Sequence, residues 1–493
     1  MAIETELKLR VTPEQLERLR RHAILKDYRI AKPVSRLFHN IYFDTPELEL
    51  HHRKMALRLR RVGGQWLQTL KGGGSVKAGL HQRDEFETPV ARAALNFTVL
   101  SGEQLPAEMR EKLAPVFTTD FYRTTRMLDW QGAQIEVCMD HGEIKSLQRS
   151  TPICEVELEL KSGEPRQLFE LAEALLDIVP FELETVSKAE KGFRLLGGFV
   201  SQTVKFELPE LFKTGGLTDA LQSLIWACLL HFQENLHGVH CENHDAEYVH
   251  QMRVALRRLR VVLRMAEKLH GAEELAALRD AAGKLGITLG RIREWDVFIA
   301  QIILPMSSSI EENQGQALLA YCEQQRAACY ASLVPREVQR LLLRFAIWMN
   351  GDYWHEAESI SLSLKDVAVK QFQLLHKRYM REAENLNDAQ QLHALRIVVK
   401  KLRYSVEFFS MLYDKHKVKS YLGGLGEVQE LLGFINDIFV AQRLVNDMAS
   451  HLSEHNEVIF FLKGRLDAEL PVKLTMLHKA LKGLDEQQPF WKT

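Results

Sequence analysis

Charged residues of both signs alternate with apolar residues along several short segments of the first 200 residues. Glu4, Glu6 and Lys8 are spaced two apart, so on a strand their side chains share one face. For a single strand, this pattern is typical of an ordinary solvated face. The same alternation recurs at Arg58 and Arg60, at Arg83, Glu85 and Glu87, at Glu136 and Asp140, and at Glu155, Glu157, Glu159 and Lys161.

Closing these strands into a barrel would turn the charged faces inward and pack the apolar faces against helices. Clustered carboxylates are hard oxygen ligands suited to Mg²⁺ or Mn²⁺. Clustered arginine and lysine side chains bind phosphate oxygens, arginine in bidentate fashion. The two together predict a site for a metal-bound polyphosphate, where metal and cations neutralise a transferring phosphoryl group.

Short strands and a few helices are predicted to position these residues. Gly63-Gly64 and the glycine run at 72–74 separate the strands as turns. The predicted strands are Glu4–Arg10, Ala56–Val62, Trp66–Lys71, Gln82–Thr88, Arg123–Trp130, Gln134–Asp140 and Cys154–Lys161. A helix is predicted at 12–22, with Thr12 as N-cap and Pro13 at its first position, and another at 165–178.

Length and composition limit the class of protein. A chain of 493 residues is too long for one core, and 46% hydrophobic with 26% charged residues is typical of soluble globular proteins. The charged start MAIETELKLR predicts no signal peptide, and no apolar run is long enough to span a bilayer. Without a CxxC pair, the cysteines indicate reduced thiols and a cytoplasmic protein. They are Cys138, Cys154, Cys228, Cys241, Cys322 and Cys329.

The pattern changes to helical spacing at about Thr218 and stays helical to the end. The glycines and Pro209 between 197 and 216 are typical of a linker. The predicted division is therefore a first domain at 1–200, a linker at 201–217 and a helical domain at 218–493.

The helical part contains an internal repeat with an offset of 143 residues. The segment from His250 to Arg260 matches the one from His393 to Arg403, and Leu289-Gly290 matches Leu432-Gly433 in the same register. A shared register over some forty residues indicates two similar helical halves.

Each repeat carries a helix with one basic and one apolar face. At about 100° per residue, the basic side chains fall within an arc of roughly 80°. They are His250, Arg253, Arg257 and Arg260 in the first half, and His393, Arg396, Lys400 and Arg403 in the second. Few acids lie at i+3 or i+4 to neutralise this stripe, which favours a polyanion partner over a solvated face. The two histidines either pack between helices or contact phosphate. Nucleic acid is less expected, since no aromatic residues interleave for stacking.

The first part resembles the CYTH domain, or triphosphate tunnel metalloenzymes, over roughly residues 1–200. Glu4-x-Glu6-x-Lys8 matches its ExExK signature. The other matching blocks are Leu57 to Arg60, Thr69 to Gly72, Arg83-x-Glu85-x-Glu87, Arg123, Asp140, Glu155 to Glu159, and Ser187-Lys188. The resemblance implies an eight-stranded antiparallel barrel forming a tunnel, in which triphosphate compounds are hydrolysed or cyclised with divalent metal.

The resemblance also implies roles for single residues. The expected metal ligands are Glu4, Glu6, Asp140, Glu157 and Glu159. The expected phosphate-binding side chains are Lys8, Arg58, Arg60, Lys71, Arg83, Arg123 and Lys188. Arg126 faces away from Arg123 on a regular strand, so a salt bridge outside the tunnel is an equal alternative. Glu155 is expected to be a surface or structural residue, and Glu85 and Glu87 either bind ligand or orient arginines.

The helical part resembles the CHAD domain over about residues 218–493. The matching residues are His250-x-x-Arg253, Arg257-Arg258-x-Arg260, Leu289-Gly290, Arg293 to Val297, His393-x-x-Arg396, Lys400-Lys401-x-Arg403, Leu432-Gly433 and Asn436-Asp437, with Glu294 where an Asp is usual. The resemblance implies two four-helix bundles related by pseudo-twofold symmetry, with a basic cavity that binds inorganic polyphosphate.

Together these features predict an α+β chain, a barrel tunnel with flanking helices followed by two helical bundles. The predicted activity is metal-dependent hydrolysis of tripolyphosphate to pyrophosphate and phosphate, with Mg²⁺ or Mn²⁺ as cofactor and long-chain polyphosphate as partner. No general base can be assigned from the sequence. Two alternatives stay open: a CYTH enzyme acting on a nucleotide or on thiamine triphosphate, and a polyphosphate-binding protein without activity.

Overall fold

The computed structural model divides the chain into two compact units. One unit contains residues 1–202 and 334–354, and the other contains 203–333 and 355–493. The structure describes residues 2–99, 105–146, 149–197, 202–210, 216–240, 245–270, 273–306, 311–351, 354, 363–384, 386 and 388–492. The predicted linker residues 201 and 211–215, and Cys241, lie outside these ranges.

The first unit is built on a closed antiparallel barrel. Its strands are β1 Ala2–Arg10, β2 Val34–Asp44, β3 Ala56–Val62, β4 Gln65–Lys77, β5 Leu80–Val90, β6 Ala114–Trp130, β7 Ala133–Ser146 and β8 Arg149–Ser162. Their order around the barrel is β5-β4-β3-β2-β6-β7-β8-β1, and pairing of β1 with β5 closes the ring. A short strand β9, Glu182–Leu183, pairs with the end of β1. The eight-stranded barrel predicted from the family resemblance is therefore confirmed.

Helices surround the barrel and make up the second unit. They are α1 Pro13–Arg21, α2 Ile24–Asp27, α3 Glu49–His52, α4 Ala107–Arg110, α5 Pro165–Ile178, α6 Lys188–Gly197, α7 Leu217–Leu236, α8 Ala246–His270, α9 Glu273–Phe298, α10 Leu304–Met306, α11 Glu312–Ala331, α12 Pro335–Met349, α13 Leu364–Ala383, α14 Ala389–Phe408, α15 Lys415–Ala449 and α16 Asn456–Asp485. A π-helical stretch at Ile299–Ile303 joins α9 to α10.

Strand alternation sends charge inward and apolar side chains outward. On β3, Arg58 and Arg60 line an interior cavity, while Leu57 belongs to a core outside it. That core also contains Leu70 and residues of two short helices, Leu50 and Met109. Burial of these side chains against α3 and α4 holds the inward face in place, since apolar burial is the main favourable term in folding.

The two helices predicted in the first part agree with the structure. Thr12 caps α1 by accepting from the Gln15 amide at 3.3 Å, and the Gln15 side chain accepts from the Thr12 amide at 2.8 Å. Helix α5 has the predicted bounds. Strand β2 had no counterpart among the predicted segments, because its inward face carries the neutral Asn40 and Tyr42 in place of the alternating charges.

Helix α12 folds with the barrel unit although it lies within the predicted helical domain. It packs against α5, and Gln339 accepts from the Leu183 amide at 3.1 Å. Arg340 donates to Asp177 at 2.8 Å. The predicted domain boundaries at 200 and 218 did not place residues 334–354 with the barrel unit.

The second unit contains two sets of four sequential helices. In the first set α7 packs on α8, α8 on α9 and α9 on α11. In the second, α13 packs on α14, α14 on α15 and α15 on α16. Helices that are equivalent in the sequence repeat also contact each other, α8 with α14 and α9 with α15. This arrangement agrees with the predicted pair of similar bundles.

Two further sequence expectations concern membranes and cysteines. No helix among the described residues is long and apolar enough to cross a membrane. Cys138, Cys154, Cys228, Cys322 and Cys329 are free thiols.

Candidate active site

A cavity inside the barrel brings together most of the predicted site residues. It is lined by all seven predicted phosphate-binding side chains and by three of the five predicted metal ligands. These residues are Lys8, Arg58, Arg60, Lys71, Arg83, Arg123, Lys188, Glu4, Glu6 and Glu157. Two predicted ligands, Asp140 and Glu159, are not part of this lining.

Three buried carboxylates form a compact cluster beside the cavity. Asp140, Glu155 and Glu157 each place an oxygen within 4.8 Å of the other two. They lie on neighbouring strands, with Asp140 opposite Glu155 in the β7–β8 register. Hard oxygen donors in such a cluster fit Mg²⁺ or Mn²⁺. Of the two alternatives for Glu155, its complete burial excludes a surface position and agrees with a structural one.

Lys188, at the start of α6, is the main counter-charge of this carboxylate cluster. Its ammonium lies 2.7 Å from Asp140, 2.5 Å from Glu155 and 3.0 Å from Glu157. Helix α6 approaches the barrel closely because Gly192 has no side chain; a Cβ there would lie 2.2 Å from the Phe117 ring.

Arg123 completes the charge balance on the β6 side. It donates in bidentate fashion to Asp140 at 2.8 and 2.6 Å, and also to Glu157. Burial would raise the pKa of Glu157, but Lys188, Lys8 and Arg123 hold that pKa well below its usual range. Burial would likewise raise the pKa of Glu155, yet Lys188 and Lys191 lower it to about 2. Glu155 and Glu157 are therefore ionised at neutral pH.

The ExExK residues of β1 belong to the same charged network. The Lys8 ammonium lies 2.8 Å from Glu6 and also donates to Glu157. Glu4 accepts from Lys71. The Lys8–Glu157 pair joins β1 to β8, the Glu4–Lys71 pair joins β1 to β4, and the predicted Glu4 and Glu6 both face the cavity.

Glu159 lies apart from the carboxylate cluster. It is opposite Glu6 in the β1–β8 register and opposite Glu136 in the β7–β8 register. Its carboxylate accepts from Lys161 at 2.5 Å. Burial, followed by the nearby charges of Glu4 and Glu136, raises the pKa of Glu159 in spite of Lys161. Of the two neighbours of Glu157 on β8, the structure therefore places Glu155, and not Glu159, with Asp140.

Glu85, Glu87 and Arg126, for which the sequence left two alternatives, have different surroundings in the structure. Glu85 lies 3.3 Å from Lys71 and 3.6 Å from Arg58, so it contacts two of the cavity cations. Glu87 accepts from Thr69 at 2.9 Å. Arg126 lies outside the tunnel as one alternative had it, but it donates to the backbone carbonyls of Leu25 and Arg20 and not to a carboxylate.

A second, larger cavity lies within the helical unit and has a volume of about 930 Å³. Among the described residues its lining contains ten basic side chains and four acidic ones. The basic ones are Arg253, Arg257, Arg258, Arg293, Arg396, Lys400, Arg403, Arg443, Arg465 and Lys473, and the acidic ones are Glu294, Glu430, Asp437 and Glu469. His250 and His393 also line the cavity, so seven of the eight predicted polyphosphate-binding residues meet there.

Arg260 is the predicted residue that does not line this second cavity. Its guanidinium lies against α9, where a Cβ on Gly283 would be 3.4 Å away. Gly290 has the same relation to Arg253, since a Cβ there would lie 2.7 Å from the guanidinium. The Leu-Gly motif of the first repeat therefore makes room for a cavity arginine.

Crowding of like charges is the main electrostatic property of the second cavity. Burial, followed by repulsion from Arg257 and Arg396, lowers the pKa of Lys400 well below its usual value. Burial and Arg257 lower the pKa of Arg253 to about 10, and burial with Arg293 lowers that of His250 to about 4. Buried nitrogens of Arg253, Arg257 and Arg396 have no hydrogen-bond partner within the described part of the chain. An anion would relieve both costs.

The sequence prediction missed several basic residues of the second cavity. Arg258 and Arg293 belong to the motifs that match the CHAD domain, but they were not among the residues predicted to bind polyphosphate. Arg443, Arg465 and Lys473 lie on α15 and α16, outside the repeated segment. Their helical spacing alone carries no signal that separates them from solvated surface residues.

Comparison with known proteins agrees with the two-part organisation. The CYTH domain profile matches residues 2–193, and the CHAD domain profile matches residues 223–446. A protein of Haemophilus influenzae named inorganic triphosphatase is 36% identical over 204 residues, which are 40% of this chain and 55% of that protein. The chain thus spans about half the length of this curated relative.

Solved structures with a likeness to parts of the chain include the CHAD domain from the plant Ricinus communis. It is 32% identical with a TM-score of 0.49, covering 59% of this chain and 97% of that one. A Hippeastrum protein, whose structure is described as revealing a dominant triphosphatase activity, is 19% identical with a TM-score of 0.30, covering 40% of this chain and 97% of its own. The chain therefore contains a CYTH domain at residues 2–193 and a CHAD domain at residues 223–446.

Proposed function

We propose that the barrel hydrolyses tripolyphosphate to pyrophosphate and phosphate with Mg²⁺ or Mn²⁺. The observation that carries this proposal is the cluster of Asp140, Glu155 and Glu157 beside a cavity lined by seven basic side chains. Hard carboxylate oxygens clustered beside phosphate-binding cations fit metal-dependent phosphoryl transfer. The Haemophilus relative named inorganic triphosphatase supports the same activity.

The buried carboxylate cluster, with Glu4 and Glu6 facing the same cavity, would hold the metal. The bound metal would neutralise phosphate charge and polarise the bond that breaks. Glu159 was the fifth predicted ligand; its separation from the cluster favours Glu155 in that role.

The basic residues of the cavity would bind and orient the three phosphates. Water attacks the terminal phosphorus in line, a new P–O bond forms, and the anhydride bond to the departing pyrophosphate breaks. Arg123 and Lys188 lie beside the carboxylate cluster, where they would stabilise charge on the transferring group. Arg58, Arg60 and Arg83 would bind the phosphates at the β3 and β5 side of the cavity.

Substrate entry has to rearrange the ion pairs of the cavity. Lys8 contacts Glu157 and Glu6, and Lys71 contacts Glu4, so both lysines are already paired with carboxylates. Metal and triphosphate bring both signs of charge at once, so each half of a broken pair finds a new partner. This exchange favours a metal–triphosphate complex over either component alone.

The hydrolysis proposal is tested by replacing Glu6 with glutamine and measuring phosphate release from tripolyphosphate with Mg²⁺. We expect a loss of at least about 100-fold, since a metal-bearing carboxylate is removed while size is kept. The matched control is Glu17→Gln, an exposed residue of α1. A fully active Glu6→Gln variant would contradict the role of the ExExK carboxylates.

The helical unit is proposed to bind long-chain inorganic polyphosphate in its basic cavity. The support is the excess of ten basic over four acidic lining residues and the unpartnered guanidinium nitrogens. In the full chain, combining Arg253→Ala with Arg396→Ala is expected to weaken polyphosphate binding at least tenfold and to reduce its salt dependence. Affinity unchanged by this double substitution would contradict the proposal. Cytoplasmic location stays a prediction.

A further inference from the structure

Strand β2 presents two neutral side chains to the phosphate-binding arginines of β3. Asn40 is opposite Arg60 in the β2–β3 register, and Tyr42 is opposite Arg58. Asn40 is fully buried, and Tyr42 is only 3% exposed. Neither residue belongs to the charged pattern that defines the rest of the tunnel.

Asn40 fixes the orientation of Arg60 through its amide. Its oxygen accepts from Arg60 Nε at 2.8 Å, and its nitrogen donates to Thr119 Oγ1 at 2.7 Å. The Thr119 contact sets which end of the amide faces the arginine. Because Nε is used in this bond, the terminal nitrogens of Arg60, which lines the cavity, are left for a ligand.

Tyr42 lies opposite Arg58 in the β2–β3 register, as Asn40 lies opposite Arg60. Its ring stacks on Phe117 with centroids 4.5 Å apart and an interplanar angle of 19°, which locks the ring in place. Burial would raise the pKa of the Tyr42 phenol, but the nearby charge of Arg58 lowers it, and both residues line the cavity. Arg58 Nε is buried without a hydrogen-bond partner in the described ranges.

These two arginines differ from Lys8, Lys71 and Arg123 in what holds them. Lys8, Lys71 and Arg123 each contact a carboxylate closely. No described carboxylate forms an ion pair with Arg60 within 4.0 Å, and Arg58 reaches Glu85 only at 3.6 Å. Burial, followed by the charges of Arg58 and Arg123, lowers the pKa of Arg60 to about 10. The positive charge of Arg60 therefore has no ion-pair partner among the described residues, and that of Arg58 is only partly compensated by Glu85.

We propose that Asn40 and Tyr42 are positioning residues, which aim Arg60 and Arg58 at the substrate phosphates without neutralising them. A carboxylate in either place would hold the guanidinium equally well but would compete with phosphate for it. A neutral partner orients the guanidinium without neutralising its positive charge. This inference rests on the proposed triphosphatase function, since the phosphates are those of tripolyphosphate.

The test compares three substitutions in the full chain. Asn40→Asp keeps the shape and adds a carboxylate beside Arg60, and Tyr42→Phe removes only the hydroxyl. Tyr122→Phe is the matched control, because Tyr122 is 55% exposed on the neighbouring strand β6. Two readouts are needed: KM and kcat for tripolyphosphate with Mg²⁺, and tripolyphosphate binding by calorimetry in chelator, where no turnover occurs.

We expect Asn40→Asp to raise KM and to weaken metal-free binding by about tenfold or more, the loss typical of one charge-assisted hydrogen bond. Tyr42→Phe is expected to weaken both by about threefold to tenfold. In each variant kcat should change less than KM, whereas a purely structural defect would lower the active fraction and leave KM unchanged. Tyr122→Phe should match the parent protein.

The possible failures are distinguishable. If the parent protein does not hydrolyse tripolyphosphate, the proposed function fails, and the metal-free binding measurement still tests the two positioning residues. If Asn40→Asp does not fold, Tyr42→Phe decides the outcome. If folded Asn40→Asp and Tyr42→Phe both bind metal-free tripolyphosphate as tightly as the parent protein, the positioning role is overturned.

Discussion

Replacing Glu155 by glutamine, and Glu159 by glutamine in a second variant, tests which carboxylate of β8 serves the metal. The sequence predicted Glu159, whereas the structure places Glu155 within the cluster of Asp140 and Glu157. The two residues lie four apart on one strand and face the same side, so the pair is closely matched. We expect Glu155→Gln to damage metal activation and Glu159→Gln to leave it nearly unchanged.

The expected magnitudes follow from the contacts of each carboxylate. Loss of the Glu155 charge leaves Lys188 with Asp140 and Glu157, and leaves Lys191 with Glu184. Because each lysine keeps a carboxylate, the free energy of unfolding should fall by about 1–3 kcal/mol, less than for a fully orphaned buried charge. Removing one of three clustered donors should raise the Mg²⁺ concentration for half-maximal activity by about 100-fold.

The assay is phosphate release from tripolyphosphate as a function of Mg²⁺, with thermal unfolding recorded for each variant. Mn²⁺ binding followed by electron paramagnetic resonance, without substrate, gives a readout independent of turnover. Glu159→Gln should shift the half-saturating metal concentration by less than about threefold, since Glu159 does not belong to the cluster of Asp140, Glu155 and Glu157. A large shift in Glu159→Gln with none in Glu155→Gln would refute the assignment made from the cluster.

Two further predictions concern the helical cavity and helix α12. In the free protein the pKa of Lys400 is well below its ordinary value, and bound polyphosphate should stabilise the protonated form. Where the free amine is deprotonated, binding therefore takes up a proton, and the affinity for polyphosphate falls as pH rises. Calorimetry in buffers of different ionisation enthalpy measures this uptake, which Lys400→Gln should reduce; equal uptake in both proteins would contradict it. Gln339→Ala leaves the Leu183 amide without its partner and should lower the free energy of unfolding in urea by about 1–3 kcal/mol. Arg344→Ala, at an ion pair with 59% of the arginine side chain exposed, is the control and should cost less than about 1 kcal/mol; equal effects would contradict a specific role for Gln339.

Much of the barrel and its cavity was predictable because charge alternation reports directly on which face a strand turns inward. The family motifs added the order of the blocks, and seven predicted cations indeed line one cavity. Strand β2 could not be predicted in this way, since Asn40 and Tyr42 on its inner face are neutral and leave no charge pattern. A period-2 signal with a neutral inner face cannot be separated from an ordinary amphipathic strand.

Two further features could not be predicted from the sequence, namely the register between strands and the packing of helices that are far apart in the chain. Glu155, Glu157 and Glu159 share one face, so alternation cannot tell which two lie beside Asp140; only the pairing of β7 with β8 decides it. Helix α12 has an amphipathic pattern, but this pattern does not indicate that its partner is α5. The cavity arginines of α15 and α16 depend on the same long-range packing.

Phosphate release from tripolyphosphate and from ATP, each with Mg²⁺ and with chelator, decides whether the barrel is an inorganic triphosphatase. We expect fast release from tripolyphosphate, loss of that release on chelation, and little release from ATP. Preference for ATP would point to a CYTH enzyme acting on nucleotides, and no hydrolysis of either substrate would point to a protein that only binds polyphosphate. Either of these results would contradict the proposed inorganic triphosphatase.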